Sequence, residues 1–544
     1  MPAPEANRSA CSPLHTLIDG TAAACPDRPC LDFLGRRTSY AEVARLVDGT
    51  ARGLQRLGLG KGERVGLCLP NCPHFVIAFF AALKAGCTVV PLDPLSAAPE
   101  LAQQIADSGC RVVFTLDIAP LLSKVAGTAA RIVACPMADS LPKGQALAYR
   151  FAHRHDTVPL PIDEGVLRFA DLRADRGRPA AMAIDAADLA VLQYTGGTTG
   201  TPKAAMLTHG NLAANVAQVR SCFPEMAAGN ERVLAVLPLS HVFAMTVAMN
   251  LAMACGALLI LMPRFDMGQL LRTVARQRPT LLPAVPTLLR AIASAPGIDR
   301  HDLSSLKFCL SGGAPLPAEV HTAFERLTGC KVVEGYGLTE ASPVVTCNPI
   351  AGGRAGTVGL PLPGTVIEIR SLTDPRRNTP PGQAGEVCVG GPQVMAGYWN
   401  RPEETAEAFV DGLLRTGDVG FVGEDGHLTL IDRIKDVILC SGYSVYPRAI
   451  EDTIHRHPAV AAATVIGIPD AYHGEVPKAF VQVKHGHQLQ AETLAEFLRG
   501  RLSPVELPRH IEFRTELPKT AIGKLSRRHL RGEETARRAE GGGS

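Results

Sequence analysis

Short apolar strands alternate with helices in the first part of the chain, and this alternation limits the folds that the sequence can adopt. Strands that alternate with helices form parallel sheets covered on both faces. The predicted order between Leu31 and Asp93 is a short strand, an amphipathic helix from Tyr40 to Leu57, a strand from Arg64 to Leu69, a helix from Phe75 to Lys84 and a strand from Thr88 to Leu92. The sequence therefore predicts an α/β fold.

The length of the chain predicts more than one domain. Its 544 residues are too many for a single hydrophobic core. Short strands punctuated by Gly and Pro predict an antiparallel β section from Gly352 to Gly397, and the plan changes again near residue 432. We expect a large N-terminal domain of parallel α/β sheets plus a small β section (1–432), a hinge (433–436), a small mobile α/β C-terminal domain (437–531) and a disordered tail (532–544).

A loop of glycines and hydroxyl residues lies near the middle of the chain, between an apolar strand and a helix. It reads Tyr194-Thr-Gly-Gly-Thr-Thr-Gly-Thr-Pro-Lys203, and Thr208 is the predicted N-cap of the helix that follows. Glycines let backbone N–H groups turn toward an anion, hydroxyls add donors, and lysine supplies a point charge. The loop therefore predicts a polyphosphate site. It is not a Walker A loop, because Ala204 follows the lysine where that pattern needs Ser or Thr, so a metal ligand must come from elsewhere.

Composition says more about the cellular compartment of the protein than about its activity. The net charge of +3 argues neither for nor against nucleic acid, and the 15 cysteines include no Cys-x-x-Cys pair. We therefore expect a reducing cytoplasm, no disulfide framework and no zinc site.

The uncharged stretch from Val242 to Met262 is long enough to span a membrane, but Gly256 divides it and Asn250 interrupts it. We predict a buried helix followed by a buried strand there, and the N-terminus lacks the apolar core of a signal peptide.

Two further glycine-containing motifs follow predicted strands. In Glu334-Gly-Tyr-Gly-Leu-Thr-Glu340, the aromatic ring can stack on a base or lie against an acyl group, and Glu340 offers an oxygen ligand for Mg²⁺. In Ser311-Gly-Gly-Ala-Pro-Leu316, the two glycines let a flat ring approach the backbone. Each motif taken alone is equally compatible with an ordinary glycine-rich turn.

Two charged motifs lie in the last third of the chain. Arg415-Thr-Gly-Asp418 places a carboxylate in a predicted tight turn, where it can accept both hydroxyls of a ribose, and Arg433 is near in sequence. Pro518-Lys-Thr-Ala-Ile-Gly-Lys-Leu-Ser-Arg-Arg528 places a lysine behind a glycine on a loop. Taken alone, the second motif is also compatible with a solvated basic segment.

The order and combination of these motifs resemble the adenylate-forming superfamily, which contains acyl-CoA synthetases, aryl-CoA ligases, luciferases and the adenylation domains of peptide synthetases. The resemblance runs from about Pro13 to Arg531, and within the superfamily the chain is most similar to the fatty-acyl and aryl CoA ligases. One departure is visible, because Ile522 stands where the family usually has a hydroxyl residue before its last lysine. This departure puts a secondary hydrogen bond in doubt and leaves the lysine itself in place.

The resemblance assigns a role to each matching residue. Those that hold the β- and γ-phosphates of ATP are Thr195, Gly196, Gly197, Thr198, Thr199, Gly200 and Lys203. Those that surround the rest of the nucleotide are Gly312, Gly313 and Tyr336 at the adenine, Thr339 at the α-phosphate, Glu340 at Mg²⁺, Asp418 at the ribose and its neighbour Arg433. Those that serve the acid, the coenzyme A and the domain movement are His241 at the acid entrance, Lys524 bridging carboxylate and α-phosphate, Gly442 beside the pantetheine and Lys435 at the hinge.

The resemblance implies two half-reactions. A carboxylate attacks the α-phosphorus of MgATP and forms acyl-AMP and pyrophosphate, and the thiol of coenzyme A then displaces AMP. The implied substrates are a small carboxylic acid, ATP and coenzyme A, with no nucleic acid, at most peripheral membrane contact, and a monomer or homodimer. Rotation of the small domain about Lys435 removes Lys524 from the site between the two steps.

The residues after His241 narrow the choice of acid. Amino-acid-activating relatives have an aspartate at the next position, where this chain has Val242, so an apolar acid is expected. A medium- or long-chain fatty acid is the first expectation, and aryl, alicyclic and dicarboxylic acids are the alternatives. A fatty-acyl-AMP ligase that loads a carrier protein is disfavoured because the segment from Glu340 to Gly359 is short. A luciferase-type oxygenase and a non-catalytic nucleotide-binding scaffold are the remaining alternatives.

Overall fold

The computed structural model describes residues 12–128, 130–152, 165–173, 177–195, 202–224, 226, 230–441, 443–470, 472–519 and 525–541. The chain divides into two compact units. The first unit comprises Met1–Val366 and Gly390–Phe409, and the second comprises Ile367–Val389 and Val410–Ser544.

The first unit contains a seven-stranded sheet built from consecutive strand–helix repeats. Its strands in spatial order are Val166–Arg168, Arg131–Cys135, Cys110–Leu116, Arg64–Cys68, Thr88–Pro91, Leu189–Thr195 and Lys203–Thr208. All neighbours are parallel except the last two strands, which run antiparallel. The short connection between them explains this exception, because a parallel connection needs a crossover of a dozen residues or more.

A nine-stranded sheet forms the other half of the first unit. Its strands in spatial order are Leu360–Pro361, Val344–Cys347, Lys331–Gly337, Phe308–Ser311, Leu281–Ala284, Arg232–Ala235, Leu258–Leu261, Pro29–Phe33 and Arg36–Ser39. The strands from Lys331–Gly337 to Pro29–Phe33 are parallel, and both edges of the sheet are antiparallel. At one edge, Leu34 and Gly35 turn the chain with φ of 53° and 94°, which makes a two-residue hairpin. The prediction of an α/β fold is confirmed, with mixed rather than purely parallel sheets.

Helices accompany both sheets of the first unit. The helix Tyr40–Arg56 begins after Ser39, whose hydroxyl accepts the N–H of Glu42, and the helix Pro73–Lys84 begins with a proline at its first position. The other α-helices are Thr16–Ala24, Ala98–Ser108, Ala119–Val125, Lys143–Ala152, Phe169–Leu172, His209–Ser221, Val242–Ala244, Leu251–Cys255, Met267–Gln277, Pro286–Ala293, Ala318–Thr328 and Pro402–Glu407. A π-helical segment, Met245–Asn250, and the 3₁₀ turns Met137–Ser140, Ile298–Arg300 and Thr339–Ala341 complete them.

The uncharged stretch from Val242 to Met262 is a buried helix followed by a strand, as predicted. The helical part runs without a break from Val242 to Cys255, and Gly256 ends it with a φ of 64° before the strand Leu258–Leu261. Within the described ranges, no helix combines the length and the apolar character needed to cross a bilayer.

The second unit contains two five-stranded sheets. The strands Val366–Arg370, Gly385–Gly390, Leu413–Val422 and Phe409–Val410 follow one another in the first, and Leu428–Arg433 pairs with Leu413–Val422. The strands Tyr443–Val445, Ile438–Cys440, Gly474–Val483 and Val460–Asp470 follow one another in the second, and His510–Phe513 lies parallel to Gly474–Val483. The helices Pro447–His455, Ala491–Arg499 and Arg527–Gly541 and the 3₁₀ turn Ile434–Asp436 complete this unit.

The division into units differs from the predicted domain plan. The second unit includes residues 367–389, which are half of the predicted β section, together with residues 410–544, so the predicted boundary at 432 and the hinge at 433–436 stay predictions. The structure also differs from the predicted disordered tail, because the helix Arg527–Gly541 includes its first ten residues. Leu530 is fully buried, and Glu534 accepts a hydrogen bond from Lys478 at 2.6 Å, so packing and a buried ion pair hold this helix in place. Residues 542–544 lie outside the described chain.

Candidate active site

The polyphosphate loop begins and ends on two paired strands. Thr195 and Lys203 are partners in the antiparallel register, and the Thr195 hydroxyl donates to the carbonyl of Lys203 at 3.3 Å. The lysine therefore starts a strand, and the helix expected directly after the loop comes one strand later. Thr208 caps that helix as predicted, in a reciprocal hydrogen-bonding pattern with Asn211. Gly196, Gly197, Thr198, Thr199 and Gly200 lie outside the described residues.

Lys203 and Glu340 meet at one tyrosine that the sequence analysis did not identify. The Lys203 ammonium lies 5.4 Å from the centre of the Tyr398 ring, and the Tyr398 hydroxyl donates to Oε1 of Glu340 at 2.8 Å. Burial and the neighbouring Glu340 carboxylate raise the pKa of Tyr398, so this phenol stays protonated and donates. The predicted phosphate-binding lysine and the predicted metal ligand therefore belong to one cluster.

Backbone pairing fixes Tyr398 in this position. Met206 donates to the carbonyl of Gly397 at 2.8 Å, and Trp399 donates to the carbonyl of Ala204 at 2.9 Å, so the segment lies along the strand that Lys203 starts. The N–H of Met395 donates to the carbonyl of Glu340 at 2.8 Å. Because both charged residues are tied to the segment from Met395 to Trp399, the separation between them is set by main-chain hydrogen bonds.

Asp107, near the end of the helix Ala98–Ser108, anchors the same segment. Its carboxylate accepts a hydrogen bond from the Tyr194 hydroxyl at 2.7 Å and one from Arg401 at 3.2 Å. Its carbonyl accepts the indole N–H of Trp399 at 3.2 Å. The residue before the phosphate loop and the residue after Tyr398 are therefore held by one aspartate.

The two glycines of the predicted adenine pocket have different environments. Gly312 is buried, and a Cβ there would lie 3.1 Å from the ring of Phe243. Gly313 is exposed and has a φ of 80°, a left-handed conformation that favours glycine. Close packing at the first glycine and backbone conformation at the second explain why this segment needs Gly at both positions.

Tyr336 and Thr339 lie on one continuous segment. The strand Lys331–Gly337 includes the tyrosine, and the 3₁₀ turn Thr339–Ala341 follows it. A Cβ at Gly337 would stand 2.0 Å from the carbonyl oxygen of Pro343, so the chain folds back there without room for a side chain. This reversal places Glu340 directly after the strand that carries Tyr336.

His241 caps the helix at the predicted acid entrance. Its Nδ1 accepts the N–H of Phe243 at 3.4 Å, and burial lowers the pKa of the imidazole to about 4. The side chain is therefore neutral at pH 7 and does not attract a carboxylate by charge. Phe243 connects this histidine to the predicted adenine pocket, because its ring packs against Gly312.

Two buried amides hold the segment before His241, and the sequence analysis identified neither. Asn71 donates to the carbonyls of Ala235 and Leu237 at 3.1 and 2.9 Å, and its oxygen accepts the N–H of Leu239 at 2.8 Å. Gln193 donates to the carbonyl of Ser240 at 3.0 Å. Both amides belong to the part of the chain that forms the seven-stranded sheet, so they tie the acid entrance to that sheet.

Asp418 and Arg433 form a separate pair in the second unit. They are cross-strand partners, and the Arg433 guanidinium lies 3.3 Å from the Asp418 carboxylate. The predicted tight turn around Asp418 is wrong, because the residue lies within the strand Leu413–Val422. The turn-like composition reflects a local irregularity, in which Gly417 has a φ of 70° and Glu386 accepts from both Arg415 and the Gly417 N–H.

The predicted hinge residue lies in the 3₁₀ turn Ile434–Asp436. Burial and the nearby Arg433 lower the pKa of Lys435. The Arg527 guanidinium binds carboxylates before, within and after this turn, with distances of 3.0 Å to Asp432, 2.9 Å to Asp436 and 2.7 Å to Glu451. Gly442 and Lys524 lie outside the described residues.

Comparison with known proteins identifies the family. The family model described as AMP-binding enzyme matches residues 18–399, and that of the AMP-binding enzyme C-terminal domain matches residues 449–524. The chain belongs to the AMP-binding enzyme family. The resemblance to the adenylate-forming superfamily is therefore confirmed.

The similarity to relatives extends over nearly the whole chain. A long-chain-fatty-acid–CoA ligase of Bacillus subtilis (strain 168) is 40% identical over 531 residues, which are 96% of this chain and 94% of the relative. One of Escherichia coli O6:H1 is 38% identical, with 96% and 94% covered. A crystal structure of the anthranilate CoA ligase AuaEII in complex with anthranoyl-AMP superposes with a TM-score of 0.85 at 27% identity, covering 97% of this chain and 98% of that one.

Proposed function

We propose that this AMP-binding enzyme is an AMP-forming acid–CoA ligase that activates long-chain fatty acids. The observation that carries the proposal is the 40% identity, over 96% of the chain, to the long-chain-fatty-acid–CoA ligase of Bacillus subtilis. The cluster of Lys203, Tyr398 and Glu340 supports it, because a cation suited to phosphate and a carboxylate that can hold a metal both contact one tyrosine, the first at its ring and the second at its hydroxyl.

Magnesium fits this cluster. No group of three or more His, Cys, Asp or Glu side chains suited to a metal occurs among the described residues, which argues against a metal cage built from protein alone. Mg²⁺ usually keeps several waters and binds one or two carboxylates together with substrate phosphates. Glu340 supplies such a carboxylate, and its Oε1 is already oriented by Tyr398. A bound Mg²⁺ would neutralise charge on the phosphates of ATP.

The residues of the first unit are suited to bringing two anions together. The ammonium of Lys203 offsets the charge of the terminal phosphates, and we propose that Thr339 donates to the α-phosphate. The neutral His241 lies at the proposed acid entrance without holding the carboxylate in a salt bridge, so the nucleophile stays free to attack. We propose that Lys524 then balances the charge that builds up between carboxylate oxygen and α-phosphorus.

The second half-reaction involves residues of the second unit. We propose that Asp418 accepts the ribose hydroxyls, that Gly442 leaves room for the pantetheine, and that the small domain turns about Lys435 between the two steps. The pairing of Asp418 with Arg433 supports the first of these roles, because the ion pair at 3.3 Å fixes the position of the carboxylate. Coenzyme A is the proposed acceptor, and a carrier protein is the alternative.

Two classes of carboxylic acid are candidates for the substrate. The helical segment after His241 buries Val242, Ala244, Met245, Val247, Ala248 and Met249, an apolar surface with two adaptable methionines. Apolar side chains of this kind suit an alkyl chain. The similar long-chain-fatty-acid–CoA ligases point to the same class of acid. The likeness to the anthranilate CoA ligase favours an aromatic acid as the second candidate.

A pyrophosphate-release panel tests the function and separates these acids. Purified protein is given MgATP, coenzyme A and one acid from a fatty, an aromatic or a dicarboxylic series. We expect AMP and acyl-CoA to accumulate with the long-chain fatty acids and weakly with the others. Release of AMP with an aromatic series alone would favour the second candidate, and no acid-dependent AMP at all would overturn the proposal.

The free cysteines bear on the compartment in which the enzyme works. Fourteen cysteines of the described residues are free thiols, which supports a reducing cytoplasm. We propose a cytoplasmic monomer or homodimer that contacts membranes at most at their surface.

A further inference from the structure

Three hydrogen bonds within the second unit connect residues on opposite sides of the predicted hinge at 433–436. The Asp432 carboxylate accepts the main-chain N–H of Arg448 at 2.7 Å and the Arg527 guanidinium at 3.0 Å. The Arg448 guanidinium donates to the carbonyl of Leu430 at 3.1 Å. Leu430 and Asp432 precede the hinge, whereas both arginines follow it. The chain is therefore fastened across the segment about which the small domain is proposed to turn.

Asp432 is the residue on which these contacts depend. It is buried near the end of the strand Leu428–Arg433. Arg448 is the second residue of the helix Pro447–His455, so its N–H has no partner within the helix and bonds to this carboxylate instead. The Arg527 guanidinium balances the charge of the carboxylate, and separating a buried ion pair leaves a charge without compensation. The contacts of Asp432 therefore stabilise one arrangement of the two sides of the hinge.

The other carboxylates that bind Arg527 do not lie on the far side of the hinge. Glu451 follows the hinge, as Arg527 does, and its two oxygens accept the guanidinium at 2.7 and 3.1 Å. Asp436 is the last residue of the hinge, and it binds Arg527 and Arg531 at 2.9 Å each. A small domain that turns as one body carries the pair of Arg527 and Glu451 with it, whereas the pair of Arg527 and Asp432 spans the moving segment.

We propose that Asp432 and Arg527 form a latch that holds the small domain in one of the two arrangements that the reaction needs. The inference rests on the proposed function, because the two half-reactions use different positions of this domain. Both latch residues are positioning residues, which act through the location of Lys524 and Gly442 and not on the reacting atoms. Breaking the latch shifts the population toward the other arrangement.

The latch predicts a change in the balance between the half-reactions. Asp432→Asn keeps the shape of the side chain but removes its charge and one of its two acceptor oxygens. Because a hydrogen bond to a charged group is strong enough to shift a two-state equilibrium about tenfold, we expect a change of that size in the ratio of two rates. These rates are acyl-CoA formation from supplied acyl-AMP and carboxylate-dependent pyrophosphate exchange.

Glu451→Gln is the matched control. It also removes a carboxylate partner of Arg527, but one on the same side of the hinge. We expect a lower melting temperature, with both rates lowered in proportion and their ratio unchanged. Arg527→Gln should move the ratio in the same direction as Asp432→Asn, and the double variant should move it no further, because both substitutions remove the same contact.

Hydrogen exchange tests the latch without any substrate. The N–H of Arg448 donates to Asp432, and the N–H of Val465 donates to Glu451 at 2.7 Å. In the full-length protein, Asp432→Ala should speed exchange at the hinge residues 433–436 and at Arg448. Glu451→Ala should speed exchange at Val465 and leave the hinge as it is in the natural protein. Unchanged exchange at the hinge in Asp432→Ala overturns the latch, whatever the activity of the protein.

The outcomes separate this inference from the proposed function. Natural protein that performs neither half-reaction contradicts the proposed function, whereas the exchange result is independent of that activity. If the natural protein performs both, an unchanged ratio in Asp432→Asn overturns the latch, and so does an equal change in Glu451→Gln. Thermal unfolding shows whether Asp432→Asn is folded, and Arg527→Gln provides the same test of the ratio if it is not.

Discussion

Tyr398 contacts both the cation and the carboxylate of the first unit's site, Lys203 at its ring and Glu340 at its hydroxyl. The Tyr398→Phe substitution keeps the ring beside Lys203 and removes the 2.8 Å hydrogen bond to Glu340. A hydrogen bond to a charged group contributes about 1.5–3 kcal/mol, so we expect up to about a hundredfold loss in kcat/KM for adenylation. We also expect half-maximal activity to need more Mg²⁺, because Glu340 loses its fixed orientation. Pyrophosphate exchange measured across a magnesium titration checks both.

Tyr194→Phe is the matched control for that substitution. Tyr194 also donates to a carboxylate, that of Asp107 at 2.7 Å, but it is not in contact with Glu340 in the described hydrogen-bond network. We expect a lower melting temperature and an unchanged magnesium requirement. A magnesium requirement that shifts equally in both variants would contradict an orienting role for Tyr398.

A buried histidine makes the stability of the first unit depend on pH. Burial, together with the nearby charges of Arg173 and Arg36, lowers the pKa of His74 from 6.5 to about 3. Below pH 6.5 the unfolded chain therefore binds a proton that the folded chain does not. Stability falls as the pH drops from about 6.5 toward 3, by up to about 1.4 kcal/mol per pH unit. Urea unfolding at pH 7 and pH 5 should show this loss, and His74→Gln should reduce it.

His510→Gln is the control for the pH effect. This histidine is exposed and lies in the second unit, so its replacement should leave the loss of stability of the first unit unchanged. If the unfolding free energy depended on pH equally steeply in His74→Gln and in the natural protein, groups other than His74 would cause the acid sensitivity.

The sequence predicted charged residues of the site better than the residues that hold them. Lys203, Glu340 and Asp418 stand in short motifs whose composition indicates their chemistry. Tyr398 is 58 residues from Glu340, and no local sequence pattern predicts the contact between them. The one available signal was the run of a glycine and two aromatic residues at 397–399, which is unusual in composition. Asn71 and Gln193 are single amides in apolar surroundings, and their role depends on which loops the fold brings to them.

At the scale of elements, the turn after the strand Lys331–Gly337 tolerates no side chain at its glycine. A Cβ at Gly337 would lie 2.0 Å from the Pro343 carbonyl oxygen, so Gly337→Ala must push the two segments apart. Such overpacking costs about 1–3 kcal/mol, and it moves Tyr336 and Glu340 with the backbone. We expect a lower melting temperature together with a higher KM for ATP, measured by thermal unfolding and steady-state kinetics.

Gly20→Ala provides the comparison for the turn. Gly20 lies inside the helix Thr16–Ala24, and a Cβ there meets nothing within 4 Å. Alanine in a helix interior is favoured over glycine by about 0.5–1 kcal/mol, so this variant should be slightly more stable and kinetically unchanged. A Gly337→Ala variant that behaves like Gly20→Ala would show that the turn adapts without cost.

Elements with a strong periodic pattern were predicted nearly to their ends. The predicted helix from Tyr40 to Leu57 is Tyr40–Arg56, and the predicted strand from Thr88 to Leu92 is Thr88–Pro91. The strand Lys203–Thr208 was missed, because Lys-Ala-Ala-Met-Leu-Thr has few β-branched residues, and its pairing with Leu189–Thr195 is what makes it a strand. Tertiary pairing also explains the strand around Asp418, where Gly417 had indicated a turn.

At the scale of the whole molecule, one arginine links the predicted hinge to the loop of the predicted catalytic lysine. Arg527 begins the last helix, and it binds Asp432, Asp436 and Glu451 around the turn Ile434–Asp436. Lys519 and Leu525 are bridge partners, and the Ser526 N–H donates to the carbonyl of Pro518 at 2.9 Å, so the described residues before and after Lys524 are held together. The sequence resemblance predicted these functional positions, but it gave no indication of the ion network beside them.

Two substitutions in this region should separate the half-reactions. Lys524→Ala removes the charge that balances the adenylation transition state, so we expect carboxylate-dependent pyrophosphate exchange to be lost and acyl-CoA formation from supplied acyl-AMP to be retained. Gly442→Trp fills the space proposed for the pantetheine, so we expect the opposite: normal exchange and no acyl-CoA. Each variant is the control for the other, because general damage to the second unit would lower both rates together. Normal exchange in Lys524→Ala, or normal acyl-CoA output in Gly442→Trp, would remove that residue from its proposed role.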